Sequence, residues 1–112
     1  MFRKQVAVIL AAMVLSGCNT TQTESKQMVA TWYMHGTHTA NGEKFNPDGM
    51  TAAHKTLPFN TRLRLTHKDK SVIVRINDRG PFIKGRDIDL SRGVAKTLNC
   101  PGICKLDAEI MP

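Results

Sequence analysis

The stretch "TRLRLTHKDKSVIVRIND" at residues 61–78 is typical of two β-strands joined by a tight turn. Leu63 and Leu65 alternate with arginines in its first half, and the apolar residues of "SVIVRI" alternate in its second half. Alternation gives each strand one apolar face. We therefore predict a hairpin that turns through "KDK" at 68–70 and directs its apolar side to a core.

Other short apolar runs on either side of this hairpin predict a mainly β protein. Five strands are expected in all: "MVATWY" at 28–33, "TRLRLTH" at 61–67, "SVIVRIND" at 71–78, "RDIDLS" at 86–91 and "LDAEIM" at 106–111. The region between the first two, "HGTHTANGEKFNPDGMTAAHKTLPFNT" at 35–61, is rich in Gly, Asn, Pro and Asp and is predicted to be mostly loop. Many short strands in a domain of this size favour a compact barrel.

One helix is expected after the strand that ends at Ser91. Ser91 is a suitable amino-terminal cap, and Val94, Ala95 and Leu98 form an apolar stripe at helical spacing. Asn99, with a proline two residues later, predicts the helix end.

The amino-terminal residues have the pattern of a lipoprotein signal. Arg3 and Lys4 precede an apolar run that is too short to span a bilayer, and the run ends in "LSGC" at 15–18. We predict a signal peptide at 1–17 and lipidation of Cys18, with an ordinary signal peptide and a free thiol as the alternative. Asn19 then favours sorting to the outer membrane, with the protein facing the periplasm.

Residues 18–27 are polar after the cysteine and are predicted to be a flexible tether, which leaves 28–112 as one folded domain. Removing residues 1–17 takes away two of the 16 basic residues and no acidic one, so the net charge falls from +7 to +5. A basic domain favours anionic partners. In an envelope these are cell-wall polymers and anionic lipid, and no nucleic acid partner is expected.

The remaining two cysteines stand in "CPGIC" at 100–104. A Pro-Gly turn brings Cys100 and Cys104 within bonding distance, and export permits oxidation, so we predict a disulfide. A metal site at these thiols is the alternative, but there is no second cysteine pair and no nearby histidine.

Three longer motifs stand out: "TANGEKF" at 39–45, "MTAAHKTLPFNTRLRLT" at 50–66 and "VIVRINDRGPFIKGRDIDLSRGVAKTL" at 72–98. In order and spacing they closely resemble the rare lipoprotein A (RlpA) family of septal-ring lytic transglycosylases. The resemblance implies a six-stranded double-psi β-barrel with one or two short helices, and cleavage of peptidoglycan glycan strands without a cofactor. It also implies Asp78, Glu43 and His54 as the catalytic residues.

Glycosidic cleavage needs an acid for the departing oxygen and a base for the attacking hydroxyl. Lytic transglycosylases use the sugar's own 6-hydroxyl and leave a 1,6-anhydromuramyl end, so one carboxyl group is able to fill both roles. We predict that Asp78 is that group, with its pKa raised by burial or by Glu43. His54 is expected to orient a carboxylate or to bind sugar hydroxyls. A structural turn in which Asp78 accepts backbone donors is the alternative.

Substrate contacts are predicted for four further residues. At least one of Arg75 and Arg79 is expected to face peptide carboxylates of the substrate instead of Asp78. At most one of Trp32 and Tyr33 is expected to stack on a sugar ring, with Tyr33 the candidate, and Asn41 lies in the "TANGE" motif. The four histidines lack metal-ligand spacing, so no metal site is expected.

Two functions of different classes remain open. The first is an outer-membrane-anchored lytic transglycosylase, and the second is an expansin-like module that binds peptidoglycan without cutting it. The predicted catalytic residues favour the first, whereas the loop after Tyr33, about three residues shorter than the family pattern, favours the second. Recruitment of cell-division proteins is a third possibility. We expect a monomer that finds the wall without an added SPOR-type module.

Overall fold

The computed structural model describes residues 25–112. The predicted signal peptide, Cys18 and the tether up to residue 24 lie outside the described residues. The described part contains six strands and one helix: β1 Ser25–Tyr33, β2 Thr51–His54, β3 Arg62–His67, β4 Lys70–Asp78, β5 Ile88–Ser91, α1 Arg92–Thr97 and β6 Cys104–Ile110. Within this part, no helix is long and apolar enough to span a membrane.

The six strands close into a barrel in the order β1-β5-β2-β4-β3-β6. Two neighbouring pairs are parallel, β1 with β5 and β2 with β4, and the other four pairs are antiparallel. The predicted hairpin is present as β3 and β4, with Leu63 opposite Val74 and Leu65 opposite Val72. Closure leaves the barrel without an unpaired sheet edge.

Alternate residues of every strand fill the barrel. The most deeply buried apolar side chains come from the strands and from the helix with its C-cap: Ala30, Ala52, Leu63, Leu65, Ile76, Ile88, Leu90, Val94 and Leu98. Alternation places the neighbours of these residues on the outer face, which is where polar groups of β1, β2 and β5 collect.

Strand β2 is not among the predicted strands and interrupts residues 35–61, which are otherwise mostly loop as predicted. This strand has four residues, and only Ala52 and Ala53 among them are apolar, so its own sequence gives a weak strand signal. Pairing forms the strand: Ala52 lies opposite Ile76 of β4 on one side and Leu90 of β5 on the other.

Strand β1 begins three residues before the predicted domain start. Ser25, Lys26 and Gln27 belong to β1 because they pair with residues 107–109 of β6. The polar composition of these residues matches a tether, but backbone hydrogen bonding to β6 does not depend on side-chain polarity.

Helix α1 begins and ends where the sequence predicts. The Ser91 hydroxyl accepts a hydrogen bond from Val94 N at 3.3 Å and donates one to Gly49 O. Asn99 takes a left-handed conformation with φ of 57°, which ends the helix. Beyond it, Cys100 and Cys104 form a disulfide with Cα atoms 5.7 Å apart.

Candidate active site

A bulge at the end of β4 directs Asp78 to the outer face of the barrel. Val74 and Ile76 point into the core, so regular alternation would send Asp78 inward as well. The register between β2 and β4 shifts after Ala52, so that Ala53 lies opposite Asp78 and Asn77 is the extra residue. A bulge changes the direction of the side chain that follows it. Asp78 therefore reaches groups on the outer face.

Three donors from different segments hold the Asp78 carboxylate. Its Oδ1 accepts hydrogen bonds from Ala40 N at 2.8 Å and from Arg79 N at 2.9 Å. Its Oδ2 accepts one from the Tyr33 hydroxyl at 3.1 Å. The carboxylate is half-buried, so it has a fixed orientation and a side still open to a ligand.

Tyr33, a predicted substrate contact, connects Asp78 to the loop after β1. Its ring stacks on the buried ring of Phe45, with centroids 4.8 Å apart. Burial and the neighbouring Asp78 carboxylate raise the pKa of the Tyr33 phenol, so its hydroxyl remains a donor at neutral pH. Tyr33 thus orients Asp78 through its hydroxyl while its ring anchors the loop.

The loop at residues 34–50 presents Glu43 on a short two-stranded turn. Thr39 N donates to Glu43 O at 2.8 Å, Phe45 N donates to Thr37 O at 2.9 Å, and an isolated bridge joins His38 to Lys44. These bonds fix the position of the "TANGEKF" motif relative to the barrel.

Glu43 is engaged by three partners. Arg75 forms two parallel hydrogen bonds with the carboxylate, one of them from Nη2 to Oε1 at 2.8 Å. Asn41 Nδ2 and Asn77 Nδ2 donate at 2.8 and 3.1 Å. These donors, with Arg75 the strongest, lower the pKa of Glu43 to about 2. Glu43 is therefore a carboxylate at neutral pH and has no proton to share with Asp78.

The Glu43 carboxylate makes stability depend on pH in the acid range. Its folded pKa of about 2 lies below the ordinary 4.5, so this contribution is complete above about pH 4.5 and is lost as the pH falls toward 2. We expect the Tm to drop over this interval, and to drop less in Glu43→Gln, in melts followed by circular dichroism. Both side chains of the pair are more than one-third exposed, so 1 M salt should reduce the difference. Equal acid-range drops in both proteins at low salt would contradict this assignment.

Both predicted substrate-binding arginines have partners within the domain, and neither side chain bonds Asp78. Arg75 also donates to Asn60 Oδ1 at 3.1 Å. Arg79 donates to His54 O at 3.1 Å and to Leu57 O at 2.8 Å, and its guanidinium carbon lies 3.9 Å above the centre of the Phe59 ring. Arg79 thereby ties the loop after β2 to the end of β4.

His54 ends β2 beside this contact. Its Nδ1 accepts hydrogen bonds from Thr56 N at 3.2 Å and Leu57 N at 3.1 Å, so the ring proton resides on Nε2. Burial is the main cause that lowers the pKa of His54, so the ring is neutral at pH 7. One Nε2–H donor remains for a carboxylate or a sugar hydroxyl.

The site contains residues that sequence reasoning did not select, chiefly Asn77, Asn60 and Phe45. Asn77 directly precedes Asp78 in "RINDRG", and its position beside a candidate catalytic residue is the feature of the sequence that could have identified it. Residues 25–112 contain no group of three or more His, Cys, Asp or Glu side chains arranged to hold a metal ion. A surface cavity of about 370 Å³, lined in part by Trp32 and Pro101, shares none of its lining residues with the Asp78 surroundings.

The fold has a counterpart among solved structures. The Streptomyces papain inhibitor superposes on this chain with a TM-score of 0.64, covering 80% of this chain and 96% of its own, at 17% sequence identity. This similarity confirms the six-stranded double-psi β-barrel, with one short helix in the described residues.

A match to a protein-family model shows which family the chain belongs to. A family model described as "Lytic transglycolase" matches residues 25–112. The chain belongs to the lytic transglycolase family. The RlpA resemblance is confirmed by proteins named "Endolytic peptidoglycan transglycosylase RlpA". The Campylobacter jejuni protein is 48% identical over 81 residues (68% of this chain, 30% of the relative), and a Pseudomonas aeruginosa protein is 58% identical over 74 residues (62% and 22%).

This lytic transglycolase domain therefore spans less than a third of the length of those two relatives. The match nevertheless includes the entire closed barrel, because all six strands lie within residues 25–112.

Proposed function

We propose that this domain is a lytic transglycosylase that cleaves the glycan strands of peptidoglycan. The observation that carries the proposal is the Asp78 carboxylate, aimed by a bulge to the outer face and fixed there by three donors. Family membership supports the reaction class, and the relatives' names supply the substrate class.

The proposed reaction uses the 6-hydroxyl of the substrate and the side chains of the site. The 6-hydroxyl of the muramyl residue attacks its own anomeric carbon and the glycosidic bond breaks, while Asp78 accepts the hydroxyl proton and passes a proton to the departing glycosidic oxygen. In this proposal His54 Nε2–H binds a sugar hydroxyl and the Glu43–Arg75 pair contacts the peptide part of the substrate. No water is consumed, because the nucleophile belongs to the substrate.

The cellular setting is part of the proposal and rests on the sequence. Lipidation of Cys18 in "LSGC" would anchor the chain, since several acyl chains bind a membrane firmly where one binds weakly. Asn19 supports an outer-membrane location that faces the periplasm. Within the described domain the closed barrel has its own core, which supports a monomer.

A second candidate is an expansin-like module that binds peptidoglycan without cutting it. It is favoured by the internal partners of two predicted catalytic residues: Glu43 is paired with Arg75, and Nδ1 of His54 is occupied by backbone donors. Under this alternative, the same outer face holds a glycan strand and Asp78 only orients it.

The test is digestion of purified sacculi, intact and stripped of stem peptides, by residues 25–112 in oxygen-18 water, with products identified by mass spectrometry. We expect anhydro-ended fragments that carry no oxygen-18. Fragments with labelled reducing ends would indicate a hydrolase instead. Sedimentation of the protein with sacculi, without any fragment release, would replace the enzyme by the binding module.

A further inference from the structure

A second carboxyl group, Asp89, lies in the same cross-strand row as Asp78. Asp89 of β5 is opposite Ala53 of β2, and Ala53 is also opposite Asp78 of β4. On its other side, Asp89 is opposite Thr31 of β1. The row Thr31, Asp89, Ala53, Asp78 therefore crosses four adjacent strands, and the two aspartates are separated by two strand spacings, ~10 Å between backbones.

Asp89 and Asp78 face the same outer surface. Ile88 and Leu90 are fully buried in the core, so alternation directs Asp89 outward. Thr31 confirms the direction, since its hydroxyl donates to Asp89 Oδ1 at 2.7 Å. Ala53, the residue between the aspartates, is small and buried, whereas Asp78 and Asp89 on either side of it are half-buried and remain partly accessible from the outer face.

The charged and titratable groups around Asp89 come from three neighbouring elements. The charge of Asp78 on β4 raises the pKa of Asp89, and the charge of Asp89 in turn raises the pKa of Tyr33 on β1. Arg86 precedes Asp89 on the segment that leads into β5. Burial is the main cause that raises the pKa of Asp89, with the Asp78 charge adding to it, while the Thr31 hydrogen bond and Arg86 oppose it. A carboxyl group in this setting holds its proton more readily than an exposed one.

We propose that Asp89 is a second catalytic carboxyl group of this site, which protonates the departing glycosidic oxygen while Asp78 accepts the proton of the attacking 6-hydroxyl. The inference rests on the proposed lytic transglycosylase function and divides between two residues the roles that one Asp78 would otherwise fill. Two carboxyl groups in different environments commonly divide acid and base work in this way.

Each proton transferred in this reaction has a donor and an acceptor among the substrate, Asp89 and Asp78. The Asp89 carboxyl gives its proton to the glycosidic oxygen as the bond from that oxygen to the anomeric carbon breaks. The 6-oxygen forms its bond to the same carbon and loses its proton to Asp78. Proton exchange with solvent returns Asp78 to the carboxylate and Asp89 to the acid, so neither water nor a cofactor is consumed.

The test compares two substrates whose leaving groups differ in their need for an acid. One is peptidoglycan, which loses a sugar alkoxide, and the other is a 4-nitrophenyl glycoside of a muramyl disaccharide, which loses a stable phenolate. For Asp89→Asn we expect kcat/KM to fall at least ~100-fold on peptidoglycan and less than ~10-fold on the aryl glycoside, since general acid catalysis contributes about 10²–10⁴-fold. Asp107→Asn, an exposed aspartate of β6, is the matched control for the loss of one charge.

Equal losses on both substrates, or a loss below ~10-fold on peptidoglycan, would overturn the role of Asp89. Failure of the unaltered domain to cleave either substrate would instead overturn the proposed function itself. The pH dependence of activity on peptidoglycan is a second test of the role of Asp89. Activity should fall on the alkaline side as Asp89 loses its proton, and persistence of that limb in Asp89→Asn would also overturn the assignment.

Thermal melts test whether Asp89 has a purely structural role. The neutral asparagine has nearly the shape of the carboxyl group and keeps an oxygen that accepts from Thr31, so the Tm at pH 7 should be equal to or higher than that of the unaltered domain. A lowered Tm, together with activity lost equally on both substrates, would assign Asp89 to the scaffold.

Discussion

An Asp78→Asn variant is expected to release anhydro-ended fragments from sacculi ~100-fold to 10 000-fold more slowly than the unaltered domain. This is the range by which one acid–base group accelerates a reaction. The asparagine amide has no carboxylate oxygen that would accept the proton of the 6-hydroxyl, so the attack loses its base. The measurement is the initial rate of fragment release, quantified by mass spectrometry.

Folding should survive this substitution because the hydrogen bonds of Asp78 have acceptable replacements. The asparagine oxygen is able to take the place of Oδ1 and accept from Ala40 N and Arg79 N. Its amide nitrogen then faces the Tyr33 hydroxyl, which accepts as well as donates. We therefore expect unchanged sedimentation with sacculi. A variant that still cuts at the rate of the unaltered domain would remove Asp78 from the mechanism.

The largest stability effect is expected from Gly93→Ala, in the first turn of α1. A Cβ at Gly93 would lie 2.6 Å from Asp48 O and 2.8 Å from Asp48 C, and both of these are backbone atoms that cannot rotate away. Gly93 N also donates to Pro47 O at 2.8 Å, which holds the two segments together. The helix and the loop at residues 47–49 would therefore have to separate.

Two opposing free-energy changes decide whether Gly93→Ala stabilises or destabilises the domain. Alanine favours a helix over glycine by about 1 kcal/mol, whereas overpacking against a fixed backbone costs roughly 1–3 kcal/mol and sometimes more. Steric overlap with two backbone atoms lies at the upper end of that range, so we expect a net loss of ~2 kcal/mol and a Tm lower by ~8–16 °C.

Gly102→Ala is the matched control for this prediction. A Cβ at Gly102 would meet no atom within 4 Å. We expect its Tm to lie within ~4 °C of the unaltered domain, since surface substitutions change stability by about 0.5 kcal/mol or less. A Gly93→Ala melt that coincides with the Gly102→Ala melt would show that the helix is able to shift at little cost.

The sequence by itself determined the elements with strong periodicity. Alternating residues such as Leu63 and Leu65 predicted the hairpin of β3 and β4, and the Ser91 cap predicted the start of α1. These elements are encoded locally, because strand alternation and helix capping depend on residues a few positions apart. The family motifs added the barrel type and the candidate residues Glu43, His54 and Asp78.

Only the tertiary structure decided which partners those residues have. Strand β2 exists because β4 and β5 pair with it, and the bulge that turns Asp78 outward depends on that pairing. The Glu43–Arg75 pair and the row that joins Asp89 to Asp78 connect residues far apart in the chain. Contacts of this kind depend on how strands distant in the chain pair in the closed barrel, whereas local sequence patterns fix the register only within a hairpin such as β3 and β4.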